Sequence, residues 1–127
     1  MSLSNFSQER RKHPRVEGNI PLKLSSDEGD VVTETWNLSR TGVYCRVHKH
    51  ISPMTKLKIH LLLPSRKSKR TVTKKISCQG VVVRTEQIPG TEFYNTAIFF
   101  NEIRQKDSDN ISDFINERME HAEQNQG

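Results

Sequence analysis

The chain has 127 residues, a formal net charge of +5 and hydrophobic residues at 32% of its positions. Phe, Leu, Ile and Val supply 31 of the 127 residues, enough for one small core and above the level at which chains stay disordered. Apolar runs such as Leu61-Leu62-Leu63 are far too short to cross a bilayer as a helix, which excludes membrane insertion by that route. Charge is unevenly spread: residues 1–75 balance to +10 and residues 76–127 to −5. That asymmetry points to an anionic partner for the first half, whether nucleic acid, nucleotide or an acidic protein face.

Residues 1–17 carry no periodic apolar pattern and read as a flexible basic arm containing Arg10-Arg11-Lys12-His13-Pro14-Arg15. Pro14 biases His13 toward extended geometry, so this cluster suits a loop. The arm lacks the apolar stretch of a secretory signal, and two cysteines are too few for a disulfide scaffold; both facts suit a reduced, cytoplasmic domain. From Ile20 the pattern alternates as a half-buried strand does: Ile20, Leu22, Leu24. Asp27-Glu28-Gly29-Asp30 turns the chain. Val32, Glu34, Trp36 and Leu38 then share one strand face, which makes Trp36 a core anchor. Val43, Cys45 and Val47 continue a hairpin.

Leu57, Ile59, Leu61 and Leu63 alternate up to Pro64, and Arg66-Lys67-Ser68-Lys69-Arg70 reads as a solvated loop. A β-rich stretch follows from Thr71 to Glu86, with Gly80 as a bulge signal, and a last strand runs from about Glu92 to Asn101. Asp107 or Ser108 can cap a helix whose Ile111, Phe114, Ile115 and Met119 fall on one stripe. The pattern predicts a mainly β fold: a six- to seven-stranded antiparallel β-barrel over residues 18–104, closed to protect its edges, with a C-terminal amphipathic α-helix at 105–122 and a frayed tail at 123–127.

Two clusters combine turn chemistry with groups that bind anions and purines. Guanidinium groups of the arm bond phosphate and guanine edges bidentately. In Asn37-Leu38-Ser39-Arg40-Thr41-Gly42 the amide and hydroxyl both donate and accept, and Gly42 allows positive φ or a close backbone approach. The pair resembles the signature of the PilZ domain family, an RxxxR element followed by a [D/N]xSxxG element. Arg11 to Arg15 match the first and Asn37 to Gly42 the second, with 21 residues between them. Cys78 to Arg84 are similar to the family's late strand, and the resemblance covers about residues 9 to 120.

The resemblance implies a six-stranded antiparallel barrel that binds cyclic di-GMP as a bacterial second messenger, with no catalysis and no cofactor beyond that ligand. Carried over, Arg11 and Arg15 clamp phosphates and guanine edges, with Arg10 assisting. Asn37 and Ser39 address a guanine, and Gly42 shapes the turn. An arginine at Arg10 further implies one or two ligand molecules, and a single-domain receptor implies a downstream protein partner. Asn37 stands where Asp is commoner. An amide oxygen accepts one guanine N–H comfortably where a carboxylate accepts two, so weaker binding is expected. Thr96 stands where the family usually carries Gly.

Other residues read as structural. His48 and His50 lack a third ligand and read as surface groups, Cys45 and Cys78 as buried small hydrophobes, and Ser39 has no placed histidine to make it a nucleophile. Two alternatives remain: a PilZ-like protein-interaction module without ligand, and a basic barrel for single-stranded nucleic acid. Aromatics are few, and Phe93, Tyr94, Phe99 and Phe100 sit in the acidic half, which disfavours the second and any specific nucleic-acid reading.

Overall fold

A computed structural model of the chain describes residues 16–17, 19–67 and 70–126. Six strands form a closed antiparallel ring: β2 (Pro21–Ser26), β3 (Gly29–Leu38), β4 (Gly42–Val47), β5 (Lys56–Lys67), β6 (Arg70–Gln87) and β7 (Tyr94–Glu102). The ring order is β3-β2-β5-β6-β7-β4, closed by β4 pairing back to β3. A two-residue strand, β1 (Val16–Glu17), lies along the far end of β3, and one helix, α1 (Gln105–Gln126), follows the ring. The antiparallel barrel expected from the pattern is therefore the one observed.

Alternation explains the core. Leu22 and Leu24 of β2, Leu57, Ile59, Leu61 and Leu63 of β5, and Ile76 and Val82 of β6 all point inward and are buried. Ile111, Phe114 and Ile115 of α1 join the same cluster, so the helix closes the core rather than standing apart. Gly80 sits where a Cβ would meet Ile59 Cδ1 at 2.5 Å, Ile98 Cγ2 at 2.7 Å and the Phe99 carbonyl oxygen at 2.9 Å. The strands approach closely there because no side chain intervenes, and the register does shift between Gln79 and Gly80.

Strand β3 departs from the simple alternation. Thr35 is buried, and the register against β4 shifts between Thr35 and Asn37, which leaves Trp36 as an extra residue in the strand. One inserted residue reverses which side chains face inward. Of Val32, Trp36 and Leu38, placed together on the core face by the sequence pattern, only Leu38 is buried; Trp36 is 46% exposed and Val32 76% exposed. The Trp36 ring instead lies under the Arg46 guanidinium, 4.5 Å from the ring centroid. Before the bulge, Thr35 N–H donates to the Ile20 carbonyl at 2.8 Å and its hydroxyl accepts from Ile20 N–H at 3.2 Å. These bonds hold the chain just before β2 against β3.

The helix begins at Gln105, before the expected cap at Asp107 or Ser108. Ser108 N–H already bonds the Arg104 carbonyl at 3.0 Å, while Asp107 lies inside the first turn. There its buried carboxylate receives Arg104 Nη2 at 3.2 Å and Nε at 3.3 Å, near the positive end of the helix dipole. Met119, expected on the buried stripe, is 40% exposed. The stripe ends at Ile115 because the helix runs beyond the ring's cover. The charged stretch Arg66 to Arg70 also differs from a plain loop. Strand β5 continues through Lys67 and β6 starts at Arg70, which leaves only residues 68–69, outside the described set, between them.

Candidate functional site

The second motif spans the end of β3, a tight turn and the start of β4. Ser39 is 3% exposed and its groups are spent on that turn. Its N–H donates to the Gly42 carbonyl at 2.9 Å, and its Oγ accepts from Thr41 N–H at 3.2 Å while lying 3.1 Å from Thr41 Oγ1. The Oγ also stands 3.4 Å from the Gly42 carbonyl oxygen as a donor. Ser39 thus fixes the loop that presents its neighbours, as Ser does in turns generally. Phe100 N–H donates to the Thr41 carbonyl at 2.9 Å and ties the turn to β7.

Gly42 works by close approach. A Cβ there would strike the Ile98 carbonyl oxygen, with the Ile98 carbonyl carbon and Phe99 Cα each at 3.4 Å. Positive φ among the described glycines occurs at Gly29 and Gly90, so the positive-φ option is not the one Gly42 uses. Its bare backbone lets β4 lie tightly on β7.

Asn37 provides the chemical opportunity. Its Oδ1 is buried and has no hydrogen-bond partner among the described residues. A buried acceptor left unpaired costs about 1–3 kcal/mol, so a ligand donor there would recover that loss. Asn37 and Gly42 line a cavity of about 210 Å3 together with Ser39, Thr41, Tyr44, Val83 and Phe99. A larger groove of about 790 Å3 lies beside the β2–β3 hairpin, near Lys49, Lys56 and Lys58, and includes no motif residue.

Arg10, Arg11 and Arg15 lie outside the described residues. Their chain does arrive at this turn, because β1, which begins one residue after Arg15, pairs Val16 with Leu38 and Glu17 with Asn37. The structure therefore brings Asn37, Ser39 and Gly42 together and pairs Val16 and Glu17, which follow the first motif in sequence, beside them. Sequence reasoning missed Tyr44, Val83 and Phe99 as cavity walls. Tyr44 was accessible through alternation from Gly42. Val83 was not, because it becomes a wall only where the register against β7 skips between Val82 and Arg84.

The remaining polar groups show simpler surroundings. His48 packs edge-on to Phe93 and His50 to Tyr94, with centroids 5.2 and 5.4 Å apart, and His60 Nδ1 lies 3.1 Å from Ser77 Oγ. Among the described residues no three His, Cys, Asp or Glu side chains gather as a metal would require. Both cysteines are buried and unpaired. Burial pushes each thiol up to about 12, and for Cys78 the nearby Asp107 carboxylate adds to the effect.

A closed antiparallel ring with one following helix, carrying a polar turn beside a two-residue strand, defines a small antiparallel β-barrel domain. The PilZ domain family model matches residues 9–117, and the chain belongs to that family. Among solved structures it is similar to "Structure of Bacillus subtilis Inhibitor of motility (MotI/DgrA)", with 19% identity, a TM-score of 0.76, and coverage of 88% of this chain and 52% of that one. The likeness at that identity is one of fold, and the chain spans about half the length of that protein. No curated protein sequence matches it.

Proposed function

We propose that the chain is a cyclic di-GMP receptor, cytoplasmic and without catalytic activity, that passes ligand occupancy to a protein partner. The observation that carries the reading is the buried, unpartnered Oδ1 of Asn37 at the wall of the motif cavity. A guanine N–H supplies the missing donor. Ser39 holds the turn, Gly42 keeps the wall narrow, and Arg11 and Arg15, with Arg10, neutralise phosphates and meet guanine edges from the β1 side. Membership of the PilZ family and the position of β1 against Asn37 both support this division of labour. The structural neighbour's description as an inhibitor of motility supports a regulatory output over a chemical one. Ligand binds as one or two molecules, and the partner reads the surface that the basic arm forms on closing.

The test is isothermal titration of cyclic di-GMP into the protein at about 0.15 M salt, with Arg15→Ala and Asn37→Ala in parallel. Saturable heat is expected, weakened at least about tenfold by Arg15→Ala, because a charge-assisted bond contributes about 1.5–3 kcal/mol. Asn37→Ala is expected to weaken binding about five- to tenfold, and the titration gives the stoichiometry. Full affinity in both variants would remove the site. Absence of binding, confirmed by ligand anisotropy, would favour the PilZ-like module that works through protein contacts alone.

A further inference from the structure

From Thr35 to Thr85, 51 residues, the chain carries no Asp or Glu and 12 Lys or Arg. The β5–β6 hairpin concentrates these charges in an unusual place. Strand β2 accompanies β5 only from Lys58 to Leu61, and β7 accompanies β6 only from Gln79 onward. From the pair Leu62–Lys75 to the pair Lys67–Arg70 the two strands have only each other as sheet neighbours among the described residues. Six residues at about 3.3 Å each make a two-stranded ribbon about 20 Å long that leaves the ring, with Leu63 at its base still buried. Its base is steadied by Lys74 Nζ donating to Asn110 Oδ1 of α1 at 3.3 Å.

Pairing places Lys75 in the outward row with Leu62, and Arg70 in the opposite row that continues from Leu63 and Lys74. Arg70 and Lys75 are both exposed and neither has an ion pair among the described residues. Exposed Thr71 and Thr73 add hydroxyl donors, and Arg66 and Lys67 add two further charges to the strand sequence. Lysines on an unpaired edge also discourage pairing with other chains. That role does not require cations on both faces, nor the loss of every carboxylate over 51 residues.

We propose that this ribbon binds double-stranded DNA, without sequence preference, by entering the major groove. A planar anionic surface meets one face of a ribbon, whereas the walls of a groove about 12 Å wide meet both, and a two-stranded ribbon fits that width. Lys, Arg and Thr are the side chains that contact phosphates. The described ribbon residues include no aromatic side chain, so stacking on unpaired bases is not available to them. The site is separate from the Asn37 cavity and does not depend on the nucleotide reading.

The test is fluorescence anisotropy of a labelled duplex of about 20 base pairs, titrated from about 50 to 200 mM salt. With four phosphates neutralised, log K is expected to fall against log salt with a slope of about −3.6, roughly 150-fold across that range. Arg70→Ala/Lys75→Ala is expected to bind more weakly at low salt and to reduce the slope to about −1.8, roughly 12-fold. Lys49→Ala/Lys106→Ala, an equal change in net charge away from the ribbon, is expected to keep the steeper slope. Circular dichroism checks that all variants fold. Equal loss in the two double variants, or no saturable binding at the lowest salt, would overturn the proposal. So would capture by vesicles about one-third phosphatidylglycerol under conditions where the duplex stays free.

Discussion

Replacing Gly42 with Ala tests whether the close contact between β4 and β7 builds the site. The added methyl would collide with the Ile98 carbonyl oxygen and press on the Ile98 carbonyl carbon and Phe99 Cα, each 3.4 Å away. These are backbone atoms within a paired ladder, Gly42 opposite Phe99 and Val43 opposite Ile98, so no rotamer change relieves the clash. The strands must part. Overpacking of this kind costs about 1–3 kcal/mol. Taking 2 kcal/mol and about 4 °C per kcal/mol for a domain of this size, the melting midpoint should fall about 8 °C. Parting the strands also shifts the wall shared with Asn37, so cyclic di-GMP affinity should fall about tenfold, equivalent to about 1.4 kcal/mol. Gly80→Ala is the companion variant: its added methyl meets the Ile59 Cδ1 tip, the Ile98 Cγ2 branch methyl and the Phe99 carbonyl oxygen inside the ring. It should lower the midpoint too, by the same overpacking. Calorimetric melting and ligand titration read both effects. An unchanged midpoint for Gly42→Ala would refute the steric argument, and a lowered midpoint with full affinity would detach the β4–β7 contact from binding.

Trp36→Ala should cost only about 1 kcal/mol, the scale of a partly exposed cation–π contact, and a urea titration giving about 3 kcal/mol or more would return the ring to the core. Arg46→Ala should cost a similar amount, and the double variant should show the two effects to be coupled. The buried thiols give stability a defined pH dependence. Below pH 9.0 both folded and unfolded thiols are protonated; between 9.0 and about 12 only the unfolded chain releases its protons, so stability falls as pH rises through that window. Urea midpoints should therefore decline more steeply above pH 9.0 in the wild type than in Cys45→Ala, and parallel curves would count against the assignment.

Much of the ring was legible because its strands bury alternate residues without interruption. Leu22 and Leu24, the alternating residues of β5, and Val43, Cys45 and Val47 of β4 all sit inside as their spacing demands. The failures cluster where one residue is inserted. Nothing in Thr35-Trp36-Asn37 announces a bulge, yet that residue reverses the strand and turns Trp36 outward. Met119 failed differently: helical spacing describes a stripe, while the ring's edge decides how far along it packing continues. Residue types revealed the turn from Asn37 to Gly42, but not how its hydrogen bonds are divided. Ser39 holds the loop, and Asn37 is left with an open acceptor. The projecting ribbon was invisible for a topological reason. Alternation in β5 and β6 reads the same whether or not β2 and β7 accompany them to the end.

The bulge also gives the molecule a built-in optical probe. Trp36 is its sole indole, half in solvent, one peptide bond from Asn37 and 4.5 Å from a guanidinium that perturbs its excited state. Light selectively absorbed by that ring is therefore emitted from the β3–β4 junction alone. Occupancy of the neighbouring turn, and any rearrangement of the Arg46 stack, can be followed through the colour and intensity of that emission without attaching a dye.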